Sequence, residues 1–142
     1  MILRLQSGEN RPARRDSKVQ EYFVADAGGQ IVGCAAVRAK QNTGYLYGMV
    51  VNKAWRKRGI GHALTDARLT SLEKSGVTTA FGLSMFWNLR FFRKHGFTVV
   101  QRTAFPELQQ LHGDFLEGWS RRSALISLPV GNRGRQLARA AH

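Results

Sequence analysis

The stretch Val51-Asn52-Lys53-Ala54-Trp55-Arg56-Lys57-Arg58-Gly59-Ile60-Gly61-His62-Ala63 decides how this chain is read. Upstream, the apolar run Tyr45 to Val51 predicts a buried strand. Downstream, Ile60, Ala63, Leu64 and Ala67 recur at three- and four-residue spacing, which predicts a helix. Between them stand Arg56, Lys57 and Arg58 and two glycines one residue apart. A strand, a basic glycine turn and a helix start suit an anion. Glycine takes positive φ and lets the backbone approach a phosphate with no Cβ in the way. The unpaired N–H groups of the first helical turn point at that anion, and the helix dipole adds to the attraction.

The turn is not a Walker loop, which needs Gly-x4-Gly-Lys-Ser/Thr, nor a Gly-x-Gly-x-x-Gly dinucleotide turn. Arg56-Lys57-Arg58-Gly59-Ile60-Gly61 resembles the pyrophosphate loop of the GNAT superfamily of acyl-CoA-dependent N-acetyltransferases, Arg/Gln-x-x-Gly-x-Gly/Ala. The likeness extends to Val51, a valine five positions before the arginine. A second segment, Trp87-Asn88-Leu89-Arg90-Phe91-Phe92-Arg93-Lys94-His95-Gly96-Phe97, resembles the family's helix beside the thiol end of the coenzyme. Its phenylalanine pair before Arg-x-His-Gly-Phe, together with Trp119 to Ile126, resembles the N-acetylglutamate synthase branch. The resemblance covers roughly residues 20 to 128.

It implies an α/β (α+β) GNAT fold: a mixed central sheet of six to seven strands flanked by helices. It also implies acetyl-CoA as cosubstrate, no metal, and transfer of an acetyl group to a primary amine. Main-chain groups of Met49 and Val51, with Val50 between them, would pair with the pantetheine arm. The N–H groups from Arg56 through Lys57, Arg58, Gly59, Ile60, Gly61 and His62 to Ala63 would bind the pyrophosphate. Arg56 and Arg58 would add charge, and Phe92 would lie beside the thiol.

This chain departs from the family at both proton carriers. Tyr45 stands where many members carry a glutamate, and no carboxylate occurs from Arg38 until Asp66. Phe92 stands where a tyrosine often protonates the departing thiolate. Met85 occupies the place of a frequent asparagine, and Asn88 follows three residues later. Tyr45 is therefore the candidate catalytic residue, relaying a proton through water, with Tyr47 as the neighbouring possibility. A lysine amine, with a pKa of about 10.4, needs a base at neutral pH, whereas an α-amine near 8 is already partly neutral. The missing carboxylate thus favours an amino acid or another small α-amine as acceptor.

Around these motifs the chain reads in order. Ile2 to Leu5 predicts a short strand, followed by a loop through Ser7 to Pro12. Glu21 to Ala25 and Gln30 to Arg38 predict strands joined by the turn Asp26-Ala27-Gly28-Gly29. Gln41-Asn42-Thr43-Gly44 predicts a second turn, completing a three-strand meander. The helix after the loop should stop at Ser75-Gly76. Val77 to Ser84 should then lie parallel to the strand ending at Val51, through a right-handed crossover. A short helix over Phe86 to Lys94, a strand over Phe97 to Gln101, a polar helical segment from Pro106 to about Gly118 and a strand over Ala124 to Leu128 complete the list. The helices that usually precede the hairpin in the family are shortened or absent, which leaves an acceptor site that is open, admits a large substrate, or is completed by a second subunit in a homodimer.

A length of 142 residues predicts a single domain, with residues 1–17 and 130–142 as flexible basic termini. The lone Cys34 excludes an internal disulfide, and the four histidines show no metal-ligand spacing. No apolar run reaches membrane-spanning length and no signal-peptide core is present, so the expected location is cytoplasmic. The outlier is charge: 22 Lys and Arg against 9 Asp and Glu, a formal +13. That favours coenzyme phosphates, carboxylate substrates or nucleic acid. Two rival readings follow, a CoA-binding regulatory protein without catalysis and a basic nucleic-acid-binding module.

Overall fold

In the computed structural model, residues 3–10, 19–106, 108 and 122–131 are described. Seven strands form one sheet: β1 (Leu3–Asn10), β2 (Val19–Ala27), β3 (Gln30–Lys40), β4 (Thr43–Val51), β5 (Thr79–Met85), β6 (Thr98–Val100) and β7 (Ser123–Pro129). Their order across the sheet is β1-β2-β3-β4-β5-β7-β6. Among the described residues the helices are α1 (Ile60–Lys74) and the short α2 (Leu89–Arg93), the latter entered through a 3-10 turn at Phe86–Asn88. This is the mixed α/β sheet expected from the sequence.

The turns form for local reasons. Ala27 pairs with Gln30, so the first hairpin closes on Gly28 and Gly29, both at positive φ. The Asp26 carboxylate accepts from the Gly29 N–H at 2.7 Å. Such a two-residue loop matches the twist of its strands. At the end of α1, the Gly76 N–H donates to the Glu73 carbonyl and the Val77 N–H to the Leu72 carbonyl. With Gly76 at φ +80 these bonds close a Schellman cap, so the helix stops where the glycine predicts.

Two expectations need correction. Ser7 to Asn10 is strand, not loop, because β1 pairs antiparallel with β2 from Leu3/Ala27 to Asn10/Gln20. Main-chain pairing at a sheet edge does not require apolar side chains, which explains why hydrophobic pattern missed it. The meander therefore has four strands, and at least residues 3–10 of the supposed N-terminal arm belong to the sheet. At the other end, Val130 is fully buried and its N–H donates to the Thr78 carbonyl, so the packed domain reaches past residue 129. The helix expected from Pro106 to Gly118, Trp119, and the basic clusters at 11–18 and 132–142 lie outside the described residues, residues 106 and 108 excepted.

The core has two parts, one on each face of the sheet. Helix α1 lays Ile60, Leu64, Leu69 and Leu72 against Phe23, Val32, Val37 and Leu46. On the other face Tyr45, Phe81, Leu108 and Leu125 form a second cluster. Gly44 permits the close approach of α1, since a Cβ there would stand 2.5 Å from a Leu72 methyl.

Two irregularities make an opening in this frame. Between Cys34/Val50 and Ala36/Tyr47 the β3–β4 register slips, giving β4 an extra residue at a bulge where Gly48 takes φ +67. Strand β5 pairs in parallel with β4 only over Thr43/Thr79 to Leu46/Gly82. Beyond that point β5 pairs with β7 alone among the described residues, and β4 bends away.

Candidate active site

The wedge between β4 and β5 holds a cavity of about 350 Å³. Its walls come from Tyr47, Gly48 and Met49 on β4, Gly82 to Met85 on β5, and Asn88, Phe91 and Phe92 around α2. Arg68 reaches it from α1. A second cavity of about 440 Å³ lies under the glycine turn, lined by Met49, Val50, Val51, Trp55, Arg56, Lys57, Gly59, Ile60, Gly61, His62 and Phe91. Met49 and Phe91 line both, so the two adjoin as one groove from the helix start into the sheet.

The turn is built as the sequence suggests. The Asn52 side chain accepts from the Ala54 N–H at 3.0 Å and starts a 3-10 turn over Lys53–Trp55. Lys57 and Gly59 both take positive φ, at 64 and 84. Gly59 caps α1 without any side-chain hydrogen bond, and the helix has no acidic residue in its first turn. The bond from the Ala63 N–H to the Gly59 carbonyl, at 3.0 Å, is the first of the helical ladder. The N–H groups of Ile60, Gly61 and His62 therefore have no carbonyl one turn back and remain available to an anion.

The arginines divide their roles. Arg56 Nε donates to the chain's own Val51 carbonyl at 3.3 Å, tying the turn to the strand end. The Arg58 guanidinium stands 4.7 Å from the centroid of the Trp55 ring, a cation–π contact that holds it beside the turn. Arg58 does not line the lower cavity, whereas Arg56 and Lys57 do. Ala63 also lies outside its lining, although its N–H begins the ladder that leaves the preceding three free.

The sequence-predicted residues thus fall into place unequally. Met49, Val50, Val51, Arg56, Lys57, Gly59, Ile60, Gly61 and His62 come together around one cavity, and Phe92 around the other. Tyr45 does not join them. It is 2 % exposed and packs with Phe81, Leu108 and Leu125 on the face away from α1. Strand alternation puts Tyr45 and Tyr47 on one face, but β4 is still paired to β5 at Tyr45 and no longer at Tyr47. Tyr47 is the tyrosine that lines the cavity, with its hydroxyl accepting from Gln20 Nε2 at 3.0 Å.

Two features were missed from sequence. His62 Nδ1 and His95 Nε2 are 2.7 Å apart, and His95 Nδ1 lies 3.4 Å from Asp66. His62 also stacks on Phe91 at 4.4 Å, so this chain of rings ties the start of α1 to the end of α2. Its members come from separate motifs, and only the fold joins them. No group of His, Cys, Asp or Glu suited to a metal occurs among the described residues. The second feature, Arg68, had a signal: it falls in the apolar stripe of α1, four residues from both Leu64 and Leu72. Arg68 is 1 % exposed, and burial pushes its guanidinium down to about 10.

Comparisons with known proteins agree with this fold. Residues 18–99 match the acetyltransferase (GNAT) domain family. An uncharacterised N-acetyltransferase of Chlorobaculum tepidum is 29% identical over 90 residues, which span 63% of this chain and 57% of that relative. A Mycobacterium tuberculosis protein solved in complex with CoA superposes with a TM-score of 0.63 at 25% identity, over 76% of this chain and 75% of that one. The N-acetylglutamate synthase of Neisseria gonorrhoeae, solved with coenzyme A and N-acetyl-glutamate, gives 0.66 at 20% identity. That match covers 77% of this chain but 25% of the synthase, and it is a likeness of fold. With more than half of its residues inside the matched domain, and a bulged strand and glycine turn meeting at one groove, the chain belongs to the GNAT acetyltransferase family.

Proposed function

We propose that this protein transfers an acetyl group from acetyl-CoA to the primary amine of a small molecule, with an amino acid the leading acceptor. The observation that carries this reading is the continuous groove. One end offers three free helix N–H groups beside Arg56 and Lys57, chemistry for a pyrophosphate. The other enters the sheet where β4 has lost its partner strand, so an extended pantetheine arm can take the place of the missing neighbour. Phe91 and Met49 at the junction supply an apolar passage.

The amine arrives from the side of Tyr47. No Asp or Glu lines the cavity among the described residues, so the acceptor must arrive largely neutral. An α-amine meets that condition near neutral pH far better than a lysine side chain does. The attacking nitrogen forms a bond to the thioester carbon while the carbon–sulfur bond breaks. Tyr47 can pass the excess amine proton to water.

Calorimetric titration with acetyl-CoA, beside desulfo-CoA and ATP, tests the binding half. Micromolar acetyl-CoA affinity is expected. Release of free thiol across a panel of amines, opened with glutamate because the Neisseria enzyme holds N-acetyl-glutamate, tests the transfer. Binding without acceptor-dependent thiol release would make this a coenzyme-binding regulatory protein instead.

A further inference from the structure

Among the described residues, Arg68 is the only charged side chain lining the cavity within the sheet. Its hydrogen bonds there all run to neutral groups. Nε donates to the Leu64 carbonyl at 3.4 Å, and Nη1 to the carbonyls of Ala36 at 3.2 Å and Tyr47 at 3.5 Å. Nη2 donates to the Thr65 hydroxyl at 3.2 Å and meets the Met49 sulfur at 3.4 Å. Two of those carbonyls belong to Ala36 and Tyr47, which pair with each other beside the bulge. The guanidinium is therefore held at the point where β4 leaves β5, with no carboxylate to balance it among the described residues.

A buried charge without a counter-charge is costly, and a functional reason for keeping it is a negative charge that comes and goes. Acetyl transfer creates one in this cleft. When the carbon–sulfur bond breaks, its electron pair leaves on sulfur as a thiolate, and the usual tyrosine acid is replaced by Phe92, which lines the same cavity. Resting on the acyl-transfer reading above, we infer that Arg68 stabilises the departing coenzyme thiolate electrostatically, in place of an acid that would protonate it.

The contact with Met49 shows that a soft sulfur already fits against Nη2. In a pocket with little water, a fixed cation acts on a nearby anion far more strongly than it would in solution. The thiolate then leaves the site as an anion and takes its proton from solvent, so no protein acid is needed. Among the described residues, Tyr47 is the other titratable side chain lining the cavity.

The test is a titration of free CoA bound to the full-length protein, followed by the ultraviolet absorbance of the thiolate. Calorimetry with CoA and desulfo-CoA over the same pH range runs beside it. Bound thiol is expected to titrate at least about one pH unit below free CoA, so preference for CoA over desulfo-CoA grows about tenfold at alkaline pH. Arg68→Met should return the thiol to its free value and erase that preference. A bound thiol in the wild-type protein that titrates at or above the free value overturns the inference, without any variant. So does a folded Arg68→Met protein that loses affinity for both ligands equally, the mark of a purely structural arginine. If neither ligand binds, the acyl-transfer reading itself fails and this inference falls with it.

Discussion

At Gly61, a Cβ would stand 3.4 Å from the Phe91 ring and 3.8 Å from the Met49 methyl, at the junction of the two cavities. Gly61→Glu would therefore push a carboxylate into the phosphate path. It is expected to lower acetyl-CoA affinity by at least about a hundredfold, equal to about 2.7 kcal/mol, in a protein whose thermal unfolding is nearly unchanged. The two tyrosines separate by the same logic. Tyr45→Phe should leave turnover within about twofold, whereas Tyr47→Phe should lower it at least about tenfold at saturating acceptor. Equal effects would place the proton path elsewhere. Arg68 carries opposing terms: its lowered pKa amounts to about 3 kcal/mol of burial cost, and truncation would remove its hydrogen bonds to the Ala36 and Tyr47 carbonyls at the bulge. Denaturant unfolding of Arg68→Met should thus move stability by no more than about 2 kcal/mol, in either direction. The loop residues were legible because glycine and arginine act there through local backbone and charge. Arg68 was overlooked although it falls in the apolar stripe of α1, because the bulge that receives it appears only in the fold.

Among the elements, β4 matters most, since one extra residue turns a regular strand into the wall of a cleft. Gly48 lies at φ +67, with only the Ala36 Cβ nearby at 3.8 Å. There is room for a side chain but not the right backbone. Gly48→Val should cost about 1–2 kcal/mol from the left-handed conformation alone, and more in acetyl-CoA affinity if the bulge relaxes and β5 pairs further along β4. Comparing unfolding in denaturant with calorimetric affinity checks both effects. In the sequence, Gly48 sits inside an apolar run that reads as ordinary strand. Hydrophobic pattern fixes which face is buried, but an inserted residue emerges only from the pairing of β3 with β4. The short α2 was legible in place but not in form, because its first turn is 3-10 and the stop at Gly96 is the only strong local signal.

For the whole molecule, charge and topology dominate. The described face around the glycine turn carries exposed Lys53, Arg56, Lys57 and Arg58 with no acidic residue beside them in the chain. A coenzyme bearing phosphates should be drawn to that face. Raising ionic strength from about 0.05 to about 0.5 M is expected to weaken acetyl-CoA binding several-fold, mainly through the association rate. Salt-independent affinity would mean that the backbone amides act alone. The order of strands was legible from β2 to β5, since turn chemistry and the crossover helix left few alternatives there. The sequence did not place β6 and β7, and the insertion of β7 between β5 and β6 emerges only from their pairing. Nor did it place β1, whose polar residues hide an edge strand held by its main chain.

The parallel seam has a mechanical meaning. Strands β1 to β4 with α1 form one plate, and β5 to β7 with α2 form another. Four rungs of β4–β5 pairing join the two plates of the sheet, supplemented at one end by Thr78 and Thr79 donating to the Asn42 carbonyl. The plates therefore resemble a clasp closed by main-chain pairing at one end and held at the other by side chains, through the His62–His95 contact between the start of α1 and the end of α2. A coenzyme arm lying in the open end would act as a stitch across both plates. Pulled apart across the seam, the loaded protein should yield at a higher force than the empty one, because the bound molecule would lengthen the line of attachment that must tear.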